Sequence, residues 1–153
     1  MPEITIMPSR GSFLMPSLER ATVADAMHPG ILCCELDAPL TEVARMMAAH
    51  HVHCIAVTAV APDHSGESLV WGLISDLDLV RAGVGAGDHE TARALAQQPI
   101  ISVKPTMPLR EAGELMLTHH VSHLVVIDEG RRLPIGIVST LDIAGVLAWG
   151  HAD

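Results

Sequence analysis

The sequence predicts a mixed α/β (α+β) fold in which two β-α-β-β-α repeats, related by a pseudo-twofold axis, pack through their small sheets. Two observations lead to this prediction. The second half of the chain matches the first in register, and in each half the hydrophobic periodicity changes in the same order. The 153 residues amount to about one domain, and 49% of them are hydrophobic, which is enough for a core. Because half of this length buries little core alone, we expect the two repeats to fold as one body.

The repeat is visible as two constant shifts along the chain. A shift of 69 residues places Thr22 on Thr91 and residues 50–52 (His-His-Val) on residues 119–121 (His-His-Val). Beyond Val57 the shift falls to 64, because a polar turn is longer in the first half, and a change of loop length is what a duplicated fold tolerates. We therefore expect an N-terminal extension over 1–21, repeat one over 22–84, a linker over 85–90, repeat two over 91–149 and a tail over 150–153.

Each repeat is predicted to begin with a short strand followed by a helix. The strands are expected over residues 31–36 and 100–103, and each helix follows a turn that places a proline in its first turn, where a missing N–H costs nothing. Asp37 or Thr106 is expected to cap the helix. Apolar residues then recur at helical spacing, which predicts one buried face on each helix. These residues are Leu40, Val43, Ala44 and Met47 in repeat one and Leu109, Ala112, Gly113 and Met116 in repeat two.

The rest of each repeat is predicted to be a hairpin and a second helix. Compact apolar runs at 54–58 and 69–74, and again at 124–127 and 134–138, indicate four strands, and helical spacing follows Ser75 and Ser139. Met46 and Leu117 lie beside the buried stripes of their helices and widen the apolar faces. That widening favours a homodimer.

Composition excludes several classes of partner. With 9 basic and 18 acidic residues the formal charge is −9, and two tryptophans and one phenylalanine offer little for base stacking, so nucleic acid is not expected as a partner. The N-terminal segment contains Pro2, Pro8 and Pro16 and has no apolar signal-peptide core, and no run of about 18 apolar residues occurs, so no membrane contact is expected. The odd number of cysteines without a Cys-x-x-Cys pair indicates free thiols in a reducing, cytoplasmic setting.

The strongest local signal is a duplicated Gly-h-h-Ser-x-x-Asp motif, where h is hydrophobic, at residues 72–78 and 136–142. One interpretation is structural: Ser75 caps the helix and Asp78 reaches back, as in a capping box. The other is functional, because a helix N-terminus suits a phosphate and an ionised carboxylate accepts hydrogen bonds from ribose hydroxyls. Capping does not require the motif at equivalent positions of two repeats, which favours two sites facing each other across a nucleotide cleft.

The repeat order, the helix stripes and both motifs resemble a pair of cystathionine-β-synthase-type (CBS) domains, also called a Bateman module, over residues 22–149. In that family the Ser or Thr and the final Asp of the motif contact phosphate and ribose, and adenine lies against the entry to the first strand and the start of the second. The resemblance therefore implies a set of ligand-binding residues. They are Met27, Ile31, Cys33, His53, Cys54, Ile55, Gly72, Ser75, Asp78, Ile100, Ser102, Ser122, His123, Leu124, Gly136, Ser139, Thr140 and Asp142.

Nucleotide-sensing members carry a His-Arg pair just before the second strand of a repeat, and this chain keeps only part of it. Repeat one has His53 followed by Cys54, whereas repeat two has Ser122 followed by His123. The missing charge favours AMP, ADP or an adenosyl compound over ATP. S-adenosylmethionine and NAD(H) are further candidate ligands, and no cofactor is expected to be required. Because the two halves differ, we expect one better site.

The resemblance implies a regulatory, energy-sensing module and not an enzyme, and the sequence carries no phosphate loop, nucleophile elbow or His-Glu-x-x-His motif. Output is then expected through an unidentified regulated protein or through self-association. A structural dimerisation module with a vestigial cleft is an alternative. A metal- or pH-responsive module is another, since histidines cluster at 50–53 and 119–123. Adjacent histidines on a helix point about 100° apart, however, so no metal site is expected.

Overall fold

The computed structural model describes residues 15–83, 90–130 and 134–151. Most of the expected N-terminal extension, nearly all of the expected linker and the end of the tail lie outside the described residues. The helices are α1 (Val23–Ala26), α2 (Leu40–His50), α3 (Asp76–Ala82), α4 (Ala92–Leu95), α5 (Leu109–His119) and α6 (Thr140–Trp149). The strands are β1 (His28–Pro29), β2 (Cys33–Glu35), β3 (Cys54–Val60), β4 (Ser68–Ser75), β5 (Ser102–Val103), β6 (His123–Ile127) and β7 (Pro134–Ser139).

The strands form two small sheets, one for each repeat, which confirms the predicted mixed α/β fold. One sheet has the order β2-β3-β4, and the other has the order β1-β7-β6-β5. Strand β2 pairs in parallel with β3, and β5 pairs in parallel with β6. The predicted antiparallel hairpins are β3-β4 and β6-β7. The register shifts between Val57 and Thr58 in one hairpin and between Val126 and Ile127 in the other. The two irregularities fall at equivalent positions of the repeats.

The long helices α2 and α5 bury the predicted stripe against the sheets. Leu40, Val43 and Met47 are buried on α2, as are their counterparts on α5. Ala44, by contrast, is exposed, so the buried face of this helix is narrower than the periodicity predicts. Met46 packs against the core of repeat one, so it does not extend an outward apolar face as predicted.

The predicted caps of these two helices are wrong. Pro39 and Pro108 are the N-cap residues, and neither helix has a side-chain cap. The first helical N–H groups instead donate to backbone carbonyls of the segments that precede the repeats: Leu40 N to Glu90 O (3.1 Å) and Leu109 N to Ala21 O (2.9 Å). Because those carbonyls satisfy the donors, no capping side chain is needed.

The N-terminal part of each repeat, ahead of its first predicted strand, packs on the other repeat, an exchange that the sequence did not predict. Val23 of α1 is fully buried in the core of repeat two, and Ala92 of α4 is fully buried in the core of repeat one. The backbone follows the same pattern, since β1 pairs with β7 and Gln97 forms a bridge with Leu73 on β4. Each repeat therefore completes the other's core and sheet. No helix in the described part of the chain is long and apolar enough to cross a membrane.

Candidate functional site

A cavity of about 570 Å³ lies where the N-terminal part of repeat two crosses the end of β4 and approaches the C-terminal end of α5. It brings together residues from both repeats. Six of the predicted ligand-binding residues line it, namely Cys54, Ser75, Asp78, Ile100, Ser122 and His123. Its wall also includes residues outside that predicted set, namely Arg81, Gln97, Gln98, Pro99, Ile101, Leu117, His119 and His120.

Ser75 and Asp78 form a complete capping box at the start of α3. Asp78 Oδ2 accepts hydrogen bonds from the Ser75 backbone N–H (2.8 Å) and the Ser75 hydroxyl (3.0 Å), while the Asp78 N–H donates to Ser75 Oγ (3.3 Å). The Asp78 side chain is held in this position and is buried, with 6% of the residue exposed. The capping interpretation is therefore correct for Oδ2, and it leaves Oδ1 for another partner.

Gln97 supplies that partner. Its side-chain amide Nε2 donates to Asp78 Oδ1 over 2.6 Å. Gln97 belongs to the segment that crosses from repeat two onto β4, and its backbone N–H and C=O both bond to Leu73 (2.9 and 3.3 Å). The bond between Gln97 and Asp78 could not be predicted from the sequence, because it depends on the exchange of segments between repeats.

The start of α6 has the same capping arrangement as the start of α3, but a histidine takes the place of Gln97. Asp142 Oδ2 accepts from the Ser139 backbone N–H (2.7 Å) and hydroxyl (3.0 Å). His28 Nδ1 lies 2.8 Å from Asp142 Oδ1. Asp142 faces a second cavity of about 650 Å³ between α1 and α6, which is also lined by the predicted binding residue Met27.

The motif glycines are required by the crossing segments. A Cβ on Gly72 would lie 2.9 Å from Ala96 Cβ and 3.0 Å from the Gln97 carbonyl oxygen, and a Cβ on Gly136 would overlap the His28 carbonyl oxygen. The close approach that a glycine permits at these positions is thus made by protein backbone.

The histidines that replace the family's His-Arg pairs carry little available positive charge. His53 Nδ1 lies 2.7 Å from Asp76 Oδ2, and this hydrogen bond lowers the pKa of Asp76. His123 Nδ1 lies 2.8 Å from Ser122 Oγ, and burial lowers the pKa of His123, so its imidazole is neutral at pH 7. Burial, with help from Asp78 and Asp76, raises the pKa of Cys54 to about 12, so this thiol stays protonated.

The remaining predicted site residues lie outside the linings of both cavities. Ile55 and Leu124 are fully buried in the two cores, so they present no surface to a ligand. Cys33 is exposed on β2. The others are Ile31, His53, Gly72, Ser102, Gly136, Ser139 and Thr140. Among the residues that the structure describes, no three His, Cys, Asp or Glu side chains are grouped so that they could hold a metal ion.

Comparison with known proteins identifies the fold and the family. The chain is 32% identical to an uncharacterised protein of Methanopyrus kandleri over 108 residues, which is 69% of this chain and 52% of that protein. The chain thus spans about half the length of this relative.

Three solved structures share the architecture. The CBS domain pair of protein MJ0100, in complex with 5′-methylthioadenosine and S-adenosyl-L-methionine, has a TM-score of 0.69 at 20% identity. The match covers 84% of this chain and 96% of that chain. The CBS domain of a bacterial CNNM/CorC family Mg²⁺ transporter in complex with ATP has a TM-score of 0.70 at 20% identity, and the match covers 88% of this chain and 92% of that chain. Hypoxic Response Protein I with two coordinated zinc ions has a TM-score of 0.61 at 29% identity, covering 82% and 98%.

The family model described as CBS domain matches this chain twice, over residues 23–85 and 92–148. These two matches cover most of the chain, one for each repeat. The chain therefore belongs to the CBS domain family and carries two copies of the domain.

Proposed function

We propose that this chain is a non-catalytic regulatory module that binds an adenosine-containing ligand in the cavity beside Asp78. The observation that carries the proposal is a buried, fixed carboxylate in the wall of a cavity formed by both repeats. A volume of about 570 Å³ falls within the range of small-molecule sites. Because both repeats line the cavity, a bound ligand would contact both halves at once.

The chemistry of the wall suits a nucleoside. An ionised carboxylate only accepts hydrogen bonds, so Asp78 matches the donor hydroxyls of a ribose. Ile100, Pro99 and Leu117 supply apolar surface for a base. Relatives of the same fold support this assignment, since one binds 5′-methylthioadenosine and S-adenosylmethionine and another binds ATP.

We further propose that AMP, ADP or an adenosyl compound binds more tightly than ATP. Among the described residues that line the cavity, Arg81 provides the single guanidinium. His123 is neutral at pH 7, and His53 is already bonded to Asp76, whose carboxylate is ionised. A triphosphate would therefore meet too little positive charge to offset its loss of water.

Isothermal titration calorimetry with adenosine, AMP, ADP, ATP and S-adenosylmethionine tests the proposal. At a concentration of about 100 times its dissociation constant, a ligand should also stabilise the protein by about 2.7 kcal/mol in thermal unfolding. Asp78→Asn should weaken binding, whereas Asp63→Asn, in an exposed turn bonded to Ser65, should not. Absence of heat and of stabilisation with all five compounds would rule out an adenosine-binding module.

A structural interaction module is the second candidate function, favoured by exposed apolar side chains on three helices. They are Leu77, Val80, Leu117, Leu141, Leu147 and Trp149, each exposed by 53 to 78%. Large exposed apolar patches mark sites of protein–protein interaction. We propose that the module forms a homodimer through some of them and acts on a regulated protein. Sedimentation equilibrium of the protein and of Leu117→Glu would show a dimer that the substitution weakens if α5 takes part.

A further inference from the structure

Each motif aspartate is already bonded by a side chain from the segment that crosses over it. Gln97 Nε2 lies 2.6 Å from Asp78 Oδ1, and His28 Nδ1 lies 2.8 Å from Asp142 Oδ1. Gln97 and His28 are equivalent under the 69-residue shift that relates the repeats. The two contacts are therefore equivalent in the two repeats, with the amide of Gln97 in one and the imidazole of His28 in the other.

These contacts involve the oxygen that a ligand needs. The Oδ2 atom of each aspartate accepts two hydrogen bonds from the serine at the start of the helix, at 2.7 to 3.0 Å. Oδ1 is then the acceptor left for a ribose hydroxyl. We propose that Gln97 and His28 are gating residues: they occupy Oδ1 until a ligand hydroxyl displaces them. This inference rests on the proposed role of Asp78 in binding ribose and extends that role to Asp142.

The burial of the two partners shows which one would move. The Asp142 side chain is 4% exposed, whereas the His28 side chain is 77% exposed. Gln97 is likewise exposed and Asp78 is buried. An exposed side chain can rotate into water and find new hydrogen bonds there, while the aspartate is held by its helix cap.

The backbone of the crossing segment can stay in place while the gate opens. Gln97 is held to Leu73 by two backbone hydrogen bonds, and His28 is paired with Ile137 in the sheet. Opening therefore needs a side-chain rotation and no separation of the repeats. The hydrogen bond lost in that rotation lowers the affinity of the ligand.

Adenosine is the probe of choice because it carries the ribose hydroxyls and no phosphate. Asp142→Asn leaves the Asp78 carboxylate for it, and Asp78→Asn leaves that of Asp142. In the Asp142→Asn protein, Gln97→Ala should raise the affinity for adenosine about three- to tenfold, because the hydrogen bond to Asp78 Oδ1 no longer has to be broken. In the Asp78→Asn protein, His28→Ala should raise the affinity by a similar factor, about three- to tenfold.

The exchange of the two side chains provides the matched control. Gln97→His in the Asp142→Asn protein keeps a hydrogen-bond donor beside Asp78 Oδ1, so it should not raise the affinity for adenosine. If adenosine binds but Gln97→Ala and His28→Ala leave its affinity unchanged or lower, the gates do not exist while the binding function stands. If adenosine binds to none of these proteins, both the gates and the proposed function are wrong.

Discussion

The backbone carbonyl of His28 lies directly against Gly136, in the space that a Cβ would fill. His28 lies in the N-terminal part of repeat one, and Gly136 lies on β7 of repeat two. The contact forms where β1 joins the edge of the second sheet, with Pro29 opposite Gly136. A side chain at this position would push the crossing segment, and His28 with it, away from Asp142.

Gly136→Ala is therefore expected to destabilise the fold by about 1 to 3 kcal/mol, because the added methyl meets backbone that cannot move freely. Urea unfolding measures the change. Gly145→Ala is the matched control: it lies inside α6 with open space around its Cβ position, so alanine should stabilise by about 0.5 to 1 kcal/mol. Equal effects of the two substitutions would contradict the assigned cause.

Loss of the serine caps should cost about 1 kcal/mol for each helix. Ser139→Ala removes the acceptor for the Asp142 N–H and one donor to the buried Asp142 Oδ2, and Ser75→Ala does the same for Asp78. Ser65→Ala, in an exposed turn, should change the free energy of unfolding by less than about 0.5 kcal/mol. Chemical denaturation compares the three variants, and a cap variant as stable as Ser65→Ala would show that the capping box adds nothing.

The features that could be predicted from the sequence are those in which apolar residues recur at regular spacing or a motif occurs in both repeats. The stripes on α2 and α5 repeat every three to four residues, and the Gly-h-h-Ser-x-x-Asp motif occurs twice, so both could be located without a structure. The caps were mispredicted because the partners of Leu40 and Leu109 are distant carbonyls.

The exchange of segments could not be predicted for a related reason. Helices α1 and α4 have four residues each, too few to show a helical period, and β1 has two. Gln97 and His28 occupy equivalent positions but differ chemically, so aligning the repeats does not single them out. Their importance depends on contacts across the two repeats, which are separate in the chain.

The stability of the protein should fall between pH 7 and pH 5 because of His123. Burial lowers the pKa of His123 in the folded protein, so the unfolded chain takes up its proton first as the pH falls below about 6.5. The loss of stability then grows until the pH reaches the lowered pKa, and below that pH it stays constant. His123→Gln should flatten this part of the profile of unfolding free energy against pH. His119→Gln, an exposed histidine at the end of α5, should keep the slope, and a slope unchanged in His123→Gln would assign it to another group.

The three cysteines should differ in their reaction with a maleimide. Cys33 is exposed, whereas Cys34 and Cys54 are buried, and burial raises their pKa to about 11 and about 12. A thiol reacts as its thiolate, so at pH 7.5 one residue, Cys33, should be labelled in the folded protein and three in urea. Mass spectrometry of the peptides identifies the sites. Cys33→Ser should abolish the native reaction, and rapid native labelling of Cys54 would show that the cavity beside Asp78 opens to water far more than its buried position implies.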